Sequence, residues 1–575
     1  MKLLILICSL LTIAAAQDPS LSCNYRSSNQ FYQCDLSINN PNGFDNFTEI
    51  EGIHLEGFTD SDVNSIYSRY GSTTNLPRII CDTFPNIDTF EVYGAQLTEI
   101  NDNTFSGCSQ IRQLFLFSNQ INSISENAFA NLREVNYIDL GDNILTTLPE
   151  NVFENQRNLT GLSLNQNSFN DLPTDIFRPL ENLQDLYLGY NNLVAIDNEW
   201  FSTNSNLFYL YLVGNRINLS TNSFADLQQS LRYLNLGYNG ISEIPIGTFA
   251  GLSDLYSLQL YGNNIREFGE NIFADLGQLI RLDIGLNPIE RIHDGAFRGL
   301  DSLALLSLSN SRIRNLGSIS FENLSNLTTL DLNFNEIEEI PAGTFALMPN
   351  LSYIGMWNNR LKTLRRNSFG TLTELLTLDL DGNFVNAIER EIIDDAVNLN
   401  TLFFDGNLCA SEYFGNFLNS RATYLPMLEV CFRNMRYIVD TTTESDGVYS
   451  FFEGLEPGIV LRVQSDNEIQ IALTPFNFLW TPSIEIFIGS ANNTRSVIRV
   501  NEETDVVTVP TPNAIQQNQW NDFRVTWANQ NVLVFRSNET FPFMSYTMQQ
   551  FFPVNFYGLR AVESRATWSV QPLDF

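Results

Sequence analysis

A period of 24 residues runs through the chain from Ile87 to Leu399 without one insertion or deletion. The first apolar position of each unit falls at Ile87, Ile111, Val135, Leu159, Leu183, Leu207, Leu231, Leu255, Leu279, Leu303, Leu327, Leu351, Leu375 and Leu399. A repeat of about 20–30 residues means one supersecondary unit stacked many times, each unable to bury its apolar face alone. Aligned, the units read LxxLxLxxNxLxxLxxxxFxxLxx, as in Leu183, Leu186, Leu188, Asn191, Leu193, Ile196 and Phe201. The LxxLxL stretch predicts a short strand with inward leucines, so each turn adds one strand to a parallel sheet.

The asparagine column comprises Asn119, Asn143, Asn167, Asn191, Asn215, Asn239, Asn263, Asn287, Asn335, Asn359, Asn383 and Asn407. A buried amide at this position can satisfy the backbone where the chain leaves the strand, and stacked copies form a ladder. Ala95 and Ser311 interrupt the column, so two turns are expected to be locally weaker. A phenylalanine column, from Phe105 through Phe129 and Phe153 to Phe369, fills the outer half; Phe224 is displaced by one residue, and Ile393 replaces Phe in the last full unit. This pattern resembles the extracellular leucine-rich repeat family, as in Toll-like ectodomains and secreted matrix repeat proteins. The resemblance implies an α/β leucine-rich repeat solenoid whose curved parallel sheet forms a concave face. Fourteen strands at about 4.8 Å each make an arc of roughly 65 Å.

Residues 1–16 read as a secretory signal: Lys2, an apolar run from Leu3, and Ala14-Ala15-Ala16 before Gln17. No later segment is apolar enough to span a membrane, so a secreted, extracellular chain without membrane insertion is expected. Beyond Cys8 in the signal, six cysteines remain: Cys23, Cys34, Cys81, Cys108, Cys409 and Cys431. An even number in that compartment points to three disulfides. Position favours Cys23 with Cys34, Cys81 with Cys108 and Cys409 with Cys431, although sequence alone leaves the connectivity open. Glycosylation sequons occur at Asn46, Asn158, Asn218, Asn323, Asn326, Asn350, Asn492 and Asn538. The formal net charge of −34 repels nucleic acid and anionic lipid and suits either a basic protein partner or simple solvation.

The segments expected are a signal peptide at 1–16, an N-terminal cap with an irregular first turn at 17–86 and repeats at 87–408. A C-terminal cap at 409–432 and a linker at 433–446 lead to a second domain at 447–575. On the exposed columns of the sheet, units 5 to 8 are aromatic: Tyr187, Tyr190, Phe208, Tyr209, Tyr211, Tyr233, Tyr238, Tyr256 and Tyr261. Phe115, Phe117 and Tyr137 lie further up the arc, and Phe334, Tyr353 and Trp357 further down. Exposed aromatics facing one way mark interaction sites; tyrosines on adjacent strands also stack for sheet stability alone. Asp283, Asp331, Asp379, Asp381 and Asp405 form an acidic column, for which solvated acids, a basic partner and calcium are the alternatives.

After Cys431 the pattern changes to short alternating runs: Ile459–Val463, Glu468–Leu473, Ile484–Ile488, Ser496–Val500, Val506–Val509, Phe523–Trp527, Val532–Phe535, Asn555–Leu559 and Thr567–Val570. Such strands, broken by Pro, Asn and Gly, predict an all-β antiparallel sandwich with Trp480, Trp520, Trp527 and Trp568 largely in its core. Glu485-Ile-Phe-Ile-Gly489, Asn493-Thr-Arg-Ser-Val-Ile-Arg499 and Ala566-Thr-Trp568 resemble the domain named after farnesoic acid O-methyltransferase, found in arthropod secreted proteins. The name implies methyl transfer; the residues argue against it. The domain has no Gly-rich strand-to-helix turn for a nucleotide-like cofactor and no Lys, His or Cys. Elsewhere there are only two histidines, His54 and His293, and one lysine beyond the signal, Lys362. No enzyme activity, cofactor or metal is therefore expected. Two roles remain: recognition of an extracellular protein on the concave face, in immunity or signalling, or an extracellular matrix or adhesion component anchored by the C-terminal domain. The sequence leaves ligand and oligomeric state open.

Overall fold

Leu186, Leu210, Leu234 and Leu258 stand directly opposite one another on consecutive parallel strands, each 24 residues from the next. The computed structural model describes residues 19–572 apart from 29–30, 44–46, 198, 318, 437–438, 444–448, 454–457, 476–478, 480–481, 502–503, 517–518, 529, 537–538, 550–551 and 562–565. The expected signal segment, the sequons at Asn46 and Asn538, and Trp480 lie outside the described residues. The chain divides into two units, one running to Val385 and taking in Arg390–Tyr424, the other holding Asn386–Glu389 and Leu425–Phe575.

In the first unit every turn contributes a strand of about three residues, such as Asp185–Tyr187, Tyr209–Tyr211 and Tyr233–Asn235. The irregular first turn is itself in register: Ile66 on strand Ser65–Arg69 pairs with Phe90, again 24 residues on. At one end the antiparallel pair Ser20–Ser28 and Phe31–Asn40 closes the sheet; at the other, Tyr413–Phe414 pairs antiparallel with Thr401–Phe403. At each end the last pairing thus switches from parallel to antiparallel. Disulfides join Cys23 to Cys34 and Cys81 to Cys108, with Cα separations of 5.4 and 4.9 Å, and Cys409 and Cys431 are also disulfide-bonded.

The helical half is sparse. Short helices occur at Arg366–Phe369 and Arg390–Asp395, in two of the last units. Most outer segments close instead with single i→i+3 turns, as Leu132 N to Phe129 O at 2.9 Å. The Phe column fills this half, with Phe129 and Phe153 stacked 6.0 Å apart and 3° from parallel. The Asn column holds the opposite corner. Asn191 Nδ2 donates to Leu188 O of its own turn (3.1 Å) and Leu164 O of the previous one (3.0 Å), while Oδ1 accepts from Phe169 N (3.1 Å). Where Ser311 replaces Asn, Ile289 N turns to Asn287 O at 2.8 Å, and the buried Ser311 Oγ has no partner.

Immediately before the Asn column the backbone is left-handed in every unit from Gly94 to Gly406, with φ between 51° and 73°. This conformation costs a residue with a β-carbon about 1–2 kcal/mol, so Gly, Asn and Asp are its ordinary occupants. Tyr190, Tyr238, Leu286 and Phe334 occupy it nonetheless.

The second unit holds two six-stranded antiparallel sheets. One has the order Val439–Thr443, Ala566–Pro572, Gly458–Gln464, Trp520–Thr526, Asn531–Arg536, Met544–Thr547. The other runs Ser450–Glu453, Phe556–Ala561, Ile469–Thr474, Ile484–Gly489, Arg495–Val500, Thr504–Pro510. Ile459, Leu461, Ile471, Ile486 and Trp568 pack in its core. The segment 433–446 differs from the expected linker: it contains the end of helix Glu429–Arg436 and the strand Val439–Thr443, hydrogen-bonded along Ala566–Pro572. Of the described tryptophans of this unit, Trp527 and Trp568 are core, whereas Trp520 is exposed beneath the Arg462 guanidinium.

Candidate functional site

Alternation along each three-residue strand sends the leucine inward and its two neighbours to the open face of the sheet. Parallel register then sets Tyr187 opposite Tyr211 and Tyr209 opposite Tyr233. The rings meet: Tyr187–Tyr209 at 5.3 Å, Tyr209–Tyr233 at 5.9 Å, Phe208–Tyr233 at 5.3 Å and Tyr233–Tyr256 at 5.6 Å between centroids. Tyr211 joins through Tyr187 and Tyr209, and the Tyr190 hydroxyl is near enough to act on its phenol. Tyr238 and Tyr261 make an edge-to-face pair of their own at 5.3 Å. Trp357 stands apart in a second cluster with Phe334, centroids 4.4 Å apart.

Glycines form the floor of this patch, and pattern reading passed over them because they carry no side chain. A β-carbon at Gly189 would lie 2.7 Å from the Tyr211 ring, and one at Gly214 would lie 2.6 Å from Tyr190. The next two turns repeat the exchange, with Gly237 under Tyr261 (2.8 Å) and Gly262 under Tyr238 (2.5 Å). Each ring therefore lies across a glycine of the neighbouring turn. Recurrence of Gly one or two places before the Asn column is the signal that could have revealed it.

Burial pushes the Tyr211 phenol up to about 12, with the Tyr190, Tyr261 and Tyr209 hydroxyls adding to the effect, and it raises Tyr187 and Tyr209 as well. These hydroxyls stay protonated and can donate hydrogen bonds at any physiological pH. The acidic column serves the backbone. Asp283 Oδ1 accepts from Gly285 N (2.9 Å), Asp331 Oδ1 from Asn333 N (3.0 Å) and Asp379 Oδ1 from Asp381 N (3.2 Å). Among the described residues no group of three His, Cys, Asp or Glu side chains is placed to hold a metal ion.

His54 has partners that its sequence position concealed: Tyr32 Oη at 3.0 Å, Asp60 Oδ1 at 2.9 Å and the stacked Tyr25 ring at 4.0 Å. His293 pairs with Glu267 at 3.1 Å on the surface. The sequons at Asn158, Asn218, Asn323, Asn326, Asn350 and Asn492 are exposed. Three of them also staple turns: Asn158 Nδ2 donates to Arg133 O, Asn326 to Asp301 O and Asn350 to Ser325 O. Among the described residues no helix is long and apolar enough to cross a membrane.

The leucine-rich repeat model matches residues 85–145, 116–167, 157–217, 228–289, 254–313 and 302–356, and the farnesoic acid O-methyl transferase model matches 443–572. The chain carries leucine-rich repeats followed by a farnesoic acid O-methyl transferase-like domain. The repeat model stops at residue 356, while the in-register strands continue to Thr401–Phe403. The solved structures similar to this repeat protein include Toll in the Toll–Spatzle complex of Drosophila, a hub in development and innate immunity. Identity to it is 22%, the match covers 60% of this chain and 48% of that one, and the TM-score is 0.54. The chain thus spans about half of the Toll chain it matches, and at this identity the likeness establishes the fold alone. An internalin from Listeria monocytogenes is 20% identical over 55% of this chain and 86% of its own, with a TM-score of 0.44. No curated protein sequence matches the chain.

Proposed function

We propose that this is a secreted recognition protein that binds an extracellular protein through the aromatic face of its parallel sheet, in immunity or signalling. The observation that carries the reading is the continuous ring network of Phe208, Tyr187, Tyr209, Tyr211, Tyr233 and Tyr256. It spans consecutive strands on the face opposite the leucine core. Aromatic rings fixed in a patch bind with little loss of side-chain freedom, and Tyr and Trp dominate interface energetics for that reason. Stacking of tyrosines on neighbouring strands also stabilises a sheet, but it does not require half-exposed rings with hydroxyls kept as donors. The Toll chain, similar in fold, occurs in a complex with Spatzle. The disulfide-bonded cysteines fit an oxidising compartment, and the exposed sequons fit a glycoprotein. The expected partner is basic, in view of a net charge of −34.

An affinity pull-down from extracellular fluid, with wild type beside Tyr209→Ala/Tyr211→Ala, tests the reading. A partner lost only by the double variant, with Tm unchanged, supports it. A partner retained by both moves binding to the C-terminal domain and favours the matrix or adhesion role.

A further inference from the structure

The left-handed column before the Asn ladder carries a second feature, continuous with the aromatic patch. From unit 5 to unit 12 it reads Tyr190, Gly214, Tyr238, Gly262, Leu286, Asn310, Phe334, Asn358, so a large apolar residue occurs on every second turn. Each adopts a backbone conformation that suits Gly or Asn better. Their side chains nonetheless remain 51%, 50%, 47% and 37% exposed, so burial does not explain why they are there. The main chain of the column is pinned turn to turn: Tyr190 N donates to Val213 O, Tyr238 N to Tyr261 O (2.9 Å), Leu286 N to Ser309 O (2.8 Å) and Phe334 N to Trp357 O (2.7 Å). The four residues are therefore anchored at two strand spacings, about 9.6 Å apart, with the Tyr190 and Tyr238 rings leaning across Gly214 and Gly262 on the turns between.

Spacing selects the conformation of what fits between them. A polyproline II helix has three residues per turn and rises about 9.3 Å per turn, so over three intervals it slips by only about 1 Å against the comb. An α-helix presents one face every seven residues, about 10.5 Å, and slips by about 3 Å over the same length. An extended strand alternates its faces every residue and offers no three-residue repeat. Charge selects the composition. Asp283 and Asp331 stand three residues before Leu286 and Phe334 on the same turns, and neither enters an ion pair among the described residues. We propose that the comb Tyr190–Tyr238–Leu286–Phe334 binds a basic, proline-rich segment of a partner protein in polyproline II conformation. Apolar teeth grip the proline rings, as aromatic-lined grooves do for such segments, and the two carboxylates meet flanking lysines or arginines. The proposal rests on this side of the solenoid being a recognition surface and adds the chemistry of what is recognised.

The test uses the full chain and three synthetic peptides of equal length and equal lysine content. The first has a core of about nine prolines, enough to span the comb; the second has a Gly/Ser core; the third is an amphipathic helix former. The proline peptide is expected to bind at least about tenfold tighter than the Gly/Ser peptide. Tyr190→Gly/Tyr238→Gly is expected to abolish that preference without lowering Tm, because glycine suits the left-handed backbone. Equal affinity for the proline and Gly/Ser peptides overturns the proposal. So does a preference that survives in the glycine variant, or stronger binding of the helical peptide. The pull-down with Tyr209→Ala/Tyr211→Ala reports separately on the recognition surface, so failure of one reading is distinguishable from failure of the other.

Discussion

Asn263 Oδ1 accepts the backbone N–H of Ile241, one turn earlier, at 3.0 Å, while its Nδ2 donates to Leu236 O and Leu260 O at 3.0 and 2.8 Å. One amide thus ties two successive turns. Asn263→Ala leaves buried backbone groups on both turns unsatisfied, each at about 1–3 kcal/mol. A fall in stability of roughly 3 kcal/mol or more is expected on thermal denaturation. Ser311→Asn is the converse: it restores the missing ladder rung to Ile289 and is expected to stabilise by about 1 kcal/mol. A neutral Ser311→Asn would show that the turn has already found an equivalent arrangement.

Gly262→Ala places a β-carbon 2.5 Å from the Tyr238 ring at a φ of +69°. Strain of about 1–2 kcal/mol is expected, together with displacement of Tyr238. Near-ultraviolet circular dichroism reads the ring and Tm reads the strain. An unchanged tyrosine signal would mean that the ring is not seated on the glycine.

Asp379 is raised to about 6 by burial, reinforced by the Asp381 and Asp331 charges and opposed by the Asp381 N–H. In the unfolded chain it titrates near 3.8, so the folded state holds the proton more tightly. The linked stability is fully present below about pH 3.8 and is lost as pH rises through about 6. Asp379→Asn mimics the protonated form, so its Tm is expected to exceed that of wild type at pH 8 and to match it near pH 4. A Tm gain of equal size at both pH values contradicts the assignment.

The full chain, incubated with S-adenosylmethionine and farnesoic acid, is expected to give no methyl ester. The C-terminal sandwich contains no Lys, His or Cys between residues 447 and 575. Turnover above a buffer control would reverse this expectation.

The period alone made the sheet, its leucine core and the Asn and Phe columns legible, because each depends on residues recurring at fixed offsets. What escaped lies where side-chain pattern is weak. Val439–Thr443, Ser450–Glu453 and Met544–Thr547 are all edge strands. An edge strand packs on one neighbour only, so its apolar alternation is less strictly required. The turn containing Ile66 keeps the register with Ser68 and Thr73 where later turns have apolar core residues. At the candidate site the tyrosines were visible, but their glycine floor was not, and Trp357 proved to belong with Phe334. The union of His54 with Tyr32 and Asp60 depends on a loop path that no local motif encodes.

The alternation along the left-handed column also sets a rule for how this chain can change length. Excising residues 207–230 would remove Gly214 and put the Tyr238 β-carbon where the Tyr190 ring now lies across a glycine. Excising residues 207–254 would set Tyr190 against Gly262 and leave the alternation intact. Between units 5 and 8 the chain is therefore expected to tolerate loss of a doublet of turns better than loss of one.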